Sequence, residues 1–322
     1  DPEALRLALP DTIEVQIDPS DTAGELFNDR LIQDATDVQN AITTARVAPT
    51  QMPQIEGPVE ERFQQVLSPY NSYLVPNFNG DVTNQLEVRQ ALLLATNLNG
   101  YVKALGGESV GAPSETIVNP GVKGATDVPA FAEANNDGDP EAAKQLLADA
   151  GVQTPVAITV GYGASPTQDK AMAVLKEGWD AAGFEVTLEG MSDTYYDVIS
   201  RPDDEIDVAW AGWGADWPSM MTVLPPLFDS RPNFSPTTCG QDYGCYQSDE
   251  FEALVDEAAN ADNLDDQIAA LQEGDKVLGE DVAYIPLEIT KFNWLHGSKV
   301  EGFTTTPASS SYPEIGLIGV TE

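Results

Sequence analysis

The residues in this 322-residue sequence that are best suited to bind a ligand form a tryptophan window. Three of the five tryptophans, Trp210, Trp213 and Trp217, fall within eight residues. Indole rings offer apolar contact at low conformational cost, and their faces attract cations. On residue types alone, the window is equally consistent with a ligand site and with a tryptophan cluster of the hydrophobic core.

Small residues and one acid complete the window. The segment around Trp210 predicts a strand, and alternation sends Trp210 to one face of it, while Gly212 and Gly214 leave bare main chain beside Trp213. Bare main chain flanked by rings suits an extended ligand that adds to a strand edge. We expect Asp216 to lie in a partly dry pocket, where its charge is costly unless a ligand cation pairs with it. In the core interpretation, Asp216 is a capping residue.

Other patterns that could support catalysis or cofactor binding are weak. Asp207 and Asp216 could form the carboxylate pair of a glycosidase, but the sequence does not fix their separation. Residues 161–163 (Gly-Tyr-Gly) lie between a predicted strand and helix, but Pro166 replaces the third glycine of a dinucleotide fingerprint. The only histidine, His296, is interpreted as a surface or packing residue. We therefore expect no enzymatic activity, no cofactor and no metal site.

The two cysteines, Cys239 and Cys245, lie six residues apart in a turn-rich stretch that contains two glycines. A zinc site needs more ligands than this stretch offers. A catalytic Cys–His pair is possible in principle, but the short loop favours a local disulfide. A disulfide indicates an oxidising, extracytoplasmic environment.

The charge of the chain excludes whole classes of partner. There are 53 Asp and Glu residues against 15 Lys and Arg residues, for a formal net charge of −38. Binding to a nucleic acid requires a basic surface, so nucleic acid is excluded, and adhesion to anionic lipid is disfavoured. No run of apolar residues is long enough to predict a membrane span.

The hydrophobic periodicity predicts an α/β fold. A strand, a helix and a strand within about 33 residues form a βαβ unit, which requires a parallel pair with a right-handed crossover. The main expected elements are strands at 156–162 and 184–188, and helices at 167–182, 249–261 and 265–279. Alternation at 12–17 predicts a half-buried strand, and composition at 106–138 predicts a long loop that wraps a surface.

Three ordered motifs resemble the family 5 extracellular solute-binding proteins, the oligopeptide- and dipeptide-binding components of ABC importers. Residues 88–97 are similar to the family's V-R-Q-A-x-x-x-A-x-(D/N) helix, and residues 139–151 to its D-P-x-x-A-x-x-L-L-x-x-A-G segment. Residues 207–217 resemble its D-x-x-x-x-G-W-x-A-D-(Y/W) signature. The resemblance covers roughly residues 11–322.

The resemblance implies a type II periplasmic-binding-protein-like lobe with a mixed sheet and flanking helices, and a partial second lobe. Residues 78–290 would be the nearly complete ligand-binding lobe, with residues 1–77 and the returning segment 291–322 belonging to the partial one. The sequence opens with Asp1-Pro2-Glu3, without Met or a hydrophobic signal core, so we expect a processed protein or an excised fragment. Because family members are longer, half of the cleft wall would be missing, and we expect this fragment alone to bind peptide weakly.

The resemblance also implies residue roles. Asp216 would receive the α-ammonium group of a peptide, Trp213 would line a side-chain pocket, and the backbone of residues 212–214 would pair with the peptide main chain. Trp210 and Trp217 complete the expected ligand-binding set.

The expected function is that of an extracytoplasmic receptor, secreted or lipid-anchored, that acts as a monomer. Its partners would be a peptide and the permease of an ABC transporter. A non-peptide solute, either a nickel chelate or an oligosaccharide, is the alternative ligand. A single histidine argues against direct metal ligation.

Overall fold

The structure is a computed structural model that describes residues 9–20, 22–132, 134–306 and 309–321. The chain divides into two compact units, Asp1–Pro69 with Lys291–Glu322 (unit 1) and Tyr70–Thr290 (unit 2). The assignment of residues 1–77, 78–290 and 291–322 to family lobes stays a prediction.

Most of the regular structure in the described residues belongs to unit 2. The strands are β1 (Phe63–Pro76), β2 (Gly111–Pro113), β3 (Val156–Gly163), β4 (Phe184–Met191), β5 (Val208–Gly214), β6 (Ile285–Leu295), β7 (Val300–Glu301) and β8 (Gly319–Val320). The helices are α1 (Ala23–Ile32), α2 (Leu86–Ala95), α3 (Leu98–Leu105), α4 (Pro129–Ala132), α5 (Pro140–Asp149), α6 (Pro166–Ala182), α7 (Tyr195–Ile199), α8 (Leu224–Phe228), α9 (Ser230–Asn233), α10 (Asp249–Ala259) and α11 (Leu264–Glu280).

A six-stranded mixed sheet organises unit 2, in the order β2-β6-β1-β5-β3-β4. Strand β3 is parallel to both β4 and β5, whereas β5 is antiparallel to β1. The succession β3-α6-β4 is the βαβ unit expected from the sequence. The mixed sheet with its helices confirms the predicted α/β class.

Two hydrophobic cores lie on the two faces of this sheet. Along β1, Leu74 belongs to the core formed with α2, α3, α5 and α6, whereas Tyr73 and Val75 belong to the core formed with α8, α10 and α11. This alternation is the two-residue period of a strand, and it makes both faces of the sheet apolar. The central strands are therefore covered by helices on both sides.

The two motifs outside the tryptophan window serve the packing of unit 2. Asp139 accepts a hydrogen bond from the Ala142 amide at 2.9 Å and so caps α5. Arg89 on α2 is buried, donates to the main-chain oxygens of Thr83 and Asp281, and stacks on Phe78 at 4.2 Å.

Unit 1 has a small core of its own, formed around Leu31, Val38, Val47 and Leu295. Arg62 donates to the main-chain oxygens of Leu31 and His296. The His296 ring stacks on Phe303 at 4.8 Å, which confirms its expected packing role.

Two sequence-based expectations about the fold were wrong. Residues 12–17 form no strand, and Ile13, Val15 and Ile17 are 58%, 77% and 87% exposed. Alternation produces a strand only where a ladder partner is present, and none is found in the described part of the chain. The segment 106–138 does not wrap a surface, because it contributes Ile117, Val118 and Val128 to the core.

Candidate functional site

Strand β5 carries the tryptophan window, and its neighbours determine which of its surfaces are open. On one side it pairs with β1 along its whole length, from Pro76 opposite Val208 to Tyr70 opposite Gly214. On the other side it pairs with β3 only at Val208 and Ala209. The last five residues of β5, 210–214, therefore have a strand on one side only.

Main-chain groups of alternate residues face this less covered side. The Trp210 carbonyl points towards it, because it accepts a hydrogen bond from the Tyr195 hydroxyl, which also donates to the Gly161 carbonyl of β3. Strand alternation then turns the main-chain groups of Gly212 and Gly214 the same way. The Tyr196 ring lies beside Gly212, and burial raises the pKa of its hydroxyl.

The two tryptophans within β5 have their indole N–H groups satisfied internally. Trp210 is half-buried and donates to the Tyr101 hydroxyl at 2.9 Å. Trp213 is also half-buried, packs against the α8–α11 core and donates to the Thr222 carbonyl at 2.8 Å. Both rings are thus fixed in orientation.

The two glycines of β5 differ in the space around them. A Cβ atom on Gly214 would lie 2.6 Å from the Tyr70 ring, so this glycine makes room for an aromatic side chain on β1. A Cβ atom on Gly212 would lie 3.6 Å from the Trp210 ring, which is ordinary contact. Packing within the chain therefore requires a small residue at 214 but does not explain the glycine at 212.

The acid of the window lies beyond the end of β5 and is open to solvent. Asp216 is exposed, and in the described residues its side chain has no ion pair or hydrogen bond. The expectation of a partly dry pocket around Asp216 was wrong, because β5 ends at Gly214 and the next residues form a surface turn. Trp217 in that turn is 61% exposed, and its carbonyl accepts from the Thr222 hydroxyl at 3.2 Å.

The geometry excludes the carboxylate pair of a glycosidase. Asp207 precedes β5 and Asp216 follows it, so the seven residues of the strand separate them by roughly 20 Å. Glycosidase pairs are at most about 9.5 Å apart. Asp207 instead accepts a hydrogen bond from the Thr159 amide, and burial raises its pKa.

The disulfide predicted from the sequence is present. Cys239 and Cys245 are bonded, and their Cα atoms are 5.4 Å apart. The loop that the disulfide closes holds Tyr243, whose ring packs 5.5 Å from that of Tyr196.

Sequence reasoning missed the aromatic residues beside β5. Tyr195 and Tyr196 lie on α7, and their rings are 5.1 Å apart. The only signal in the sequence was two adjacent tyrosines shortly after a predicted strand, which does not reveal that one of them reaches the main chain of β5.

Comparison with known proteins identifies the family. The model of the family described as "Bacterial extracellular solute-binding proteins, family 5 Middle" matches residues 6–235. Di/tripeptide-binding protein 4 of Pseudomonas aeruginosa is 24% identical over 178 residues, which are 54% of this chain and 32% of that protein.

Solved structures share the fold. The ABC transporter substrate binding protein CtaP of Listeria monocytogenes has a TM-score of 0.77 at 17% identity, over 95% of this chain and 60% of that one. The oligopeptide-binding protein AppA of Bacillus subtilis, solved in complex with a nonapeptide, has a TM-score of 0.70 at 19% identity, over 93% of this chain and 57% of that one. This chain thus spans little more than half the length of these solved relatives.

No helix in the described ranges is both long and apolar enough to cross a membrane. The family match covers more than two thirds of the sequence and includes the three motifs on which the resemblance rested. The chain belongs to family 5 of the bacterial extracellular solute-binding proteins, a family of binding proteins and not of enzymes.

Proposed function

We propose that this protein captures peptides outside the cytoplasm for an ABC importer, and that the peptide main chain adds to the open edge of β5. One observation carries the proposal above all others. The main-chain groups of Gly212 and Gly214 face the side of β5 where β3 no longer pairs. The names of the similar proteins, a di/tripeptide-binding protein and a nonapeptide complex, support a peptide as the ligand.

Main-chain pairing accounts for recognition without strict sequence preference. Every peptide presents the same pattern of N–H and C=O groups, so a strand edge can accept many sequences. The ligand must approach the backbone closely, and Gly212 supports such an approach because packing within the chain does not require a glycine there.

Asp216 would fix the register of the bound peptide. Its carboxylate is exposed two residues beyond the end of β5 and is not neutralised by a cation of the described chain. A peptide α-ammonium group would supply that cation, through a charge-assisted hydrogen bond worth about 1.5–3 kcal/mol.

The tryptophans would provide apolar contact around this edge. Trp213 would form the wall of a side-chain pocket, with its ring held by the bond to Thr222. The Trp217 side chain is 61% exposed and would become covered when the ligand binds. Trp210 would support the strand from the opposite face, where Tyr101 holds it.

The location and the partners follow from the same proposal. The Cys239–Cys245 disulfide supports an oxidising compartment outside the cytoplasm, with the protein secreted or lipid-anchored. A monomeric receptor would deliver its ligand to the permease of an ABC transporter.

An oligosaccharide is the second candidate ligand. Two exposed aromatic side chains, Tyr70 at 40% and Trp217 at 61%, favour it, since sugar rings stack on such faces. A nickel chelate has no comparable support, because the described residues contain no cluster of metal-ligating side chains.

Native mass spectrometry of the protein purified from its own host tests the proposal. We expect co-purifying masses of short peptides of mixed sequence. Calorimetry should then give similar affinities for unrelated peptides of equal length and no heat with oligosaccharides or a nickel chelate. A co-purifying sugar, or binding of oligosaccharides in preference to peptides, would contradict a peptide receptor.

A further inference from the structure

The carboxyl ends of β3 and β5 separate although both strands continue. Their last paired residues are Gly161 and Ala209, yet β3 runs on to Gly163 and β5 to Gly214. Parallel neighbours normally stay paired as long as both are extended. Some feature of the chain therefore interrupts the ladder at this point.

The Tyr195 hydroxyl occupies the point of separation. Its single proton is shared in a three-centre hydrogen bond between the Gly161 carbonyl of β3, at 3.0 Å, and the Trp210 carbonyl of β5. The Tyr195 side chain is buried, 2% exposed, and packs with Ile199, Ile206 and Ala209. A fixed side chain thus occupies the Trp210 carbonyl, which a continued ladder would have used.

The hydrogen-bond pattern shows which groups a continued ladder would join. The Thr159 and Gly161 carbonyls of β3 face β5, since they accept from Asp207 and Tyr195, so the main-chain groups of Gly163 face the same way. In a parallel ladder the Gly163 amide would then donate to the Trp210 carbonyl. The Gly163 carbonyl would accept from the Gly212 amide.

We propose that Tyr195 is a positioning residue for ligand binding, whose hydroxyl keeps β3 from closing over the edge of β5. The proposal rests on the proposed function, because it concerns the edge that the peptide would use. Without the hydroxyl, the Trp210 carbonyl loses its donor. A partly buried carbonyl that has lost its donor favours a new one, and the Gly163 amide is the group that a continued ladder would bring to it. In the closed ladder, the main-chain groups of Gly212 pair with Gly163 and are no longer available to a peptide.

Tyr195→Phe tests this without any ligand. Amide hydrogen exchange is measured by mass spectrometry on peptides covering 161–165 and 210–214. We expect slower exchange at Gly163 and Gly212 in the variant than in the parent protein. Tyr246→Phe is the matched control, since Tyr246 is equally buried but its hydroxyl donates to Asp281, at 2.6 Å. Unchanged or faster exchange at Gly163 in a folded Tyr195→Phe variant would overturn the proposal.

Titration with a tripeptide tests the consequence for binding. We expect Tyr195→Phe to weaken affinity by about three- to ten-fold, as for the loss of one or two ligand hydrogen bonds, and Tyr246→Phe to leave it unchanged. Equal or tighter binding by Tyr195→Phe would overturn the role of Tyr195. If the parent protein itself bound no peptide, the proposed function would fail, while the exchange experiment would still decide whether Tyr195 separates the strands.

The parent protein provides a readout that does not depend on the variant folding. If Tyr195 separates the strands, the Gly163 amide of the ligand-free parent protein exchanges faster than the Val160 and Tyr162 amides. Protection of Gly163 equal to theirs would show that the strands are already closed and would overturn the proposal.

Discussion

The carboxyl group of Asp275 should make the stability of this protein increase as the pH falls. Asp275 on α11 is 1% exposed and accepts hydrogen bonds from Tyr284, at 2.7 Å, and from Thr116, at 3.1 Å. Burial, which outweighs these two hydrogen bonds, raises the pKa of Asp275 to about 6 from the ordinary 3.8.

The sign of the effect follows from proton uptake. Because the pKa is higher in the folded than in the unfolded state, the folded protein binds more protons between pH 3.8 and 6. Stability is therefore lowest above pH 6 and rises as the pH falls through this window. The full contribution is about 3 kcal/mol, of which about 1 kcal/mol develops between pH 8 and pH 5.

Urea denaturation of the parent protein and of Asp275→Asn at pH 8 and pH 5 measures this contribution. The difference between the two proteins isolates Asp275 from other raised groups, such as Asp204, whose pKa burial raises to about 6. We expect Asp275→Asn to lose about 1 kcal/mol of the pH dependence, and the exposed control Asp262→Asn to lose none. An Asp275→Asn variant with the full pH dependence of the parent would refute this account of the buried carboxyl.

Four further predictions concern two glycines, the disulfide and the net charge. Gly214→Ala should lower the free energy of unfolding by about 1 kcal/mol, because its Cβ would lie 2.6 Å from the Tyr70 ring. Gly212→Ala should change stability by less than about 0.5 kcal/mol but weaken peptide binding; equal binding would contradict a close main-chain approach. Replacing Cys239 and Cys245 by Ser should lower the free energy of unfolding, measured by urea denaturation, by about 2 kcal/mol, because the unfolded chain gains the entropy of the opened loop. Raising NaCl from 0.1 to 1 M should increase the thermal midpoint by several degrees, since salt screens the repulsion among charges that sum to −38.

Local patterns allowed much of the fold to be predicted. The βαβ unit at residues 156–191 follows from two apolar strands around an amphipathic helix, and Asp139 caps α5 as expected. Alternation correctly sent Trp210 to one face of β5. These features depend on neighbours in sequence, where spacing and side-chain type are sufficient.

Features that depend on distant residues could not be predicted. Residues 12–17 have the alternation of a strand but no ladder partner, and segment 106–138 has the composition of a loop but contributes core residues. The separation of β3 from β5 depends on a hydroxyl of α7, which no local pattern reveals. The exposure of Asp216 depends on where β5 ends relative to its partners.

The dissociation constants of a tripeptide with a free and with an acetylated amino terminus test the central claim most directly. Measured for the parent protein and for Asp216→Asn, they isolate the interaction between the carboxylate and the α-ammonium group. We predict that acetylation weakens binding to the parent at least ten-fold and binding to Asp216→Asn by less than two-fold. Equal sensitivity of both proteins to acetylation would contradict the claim that Asp216 receives the amino terminus of a peptide.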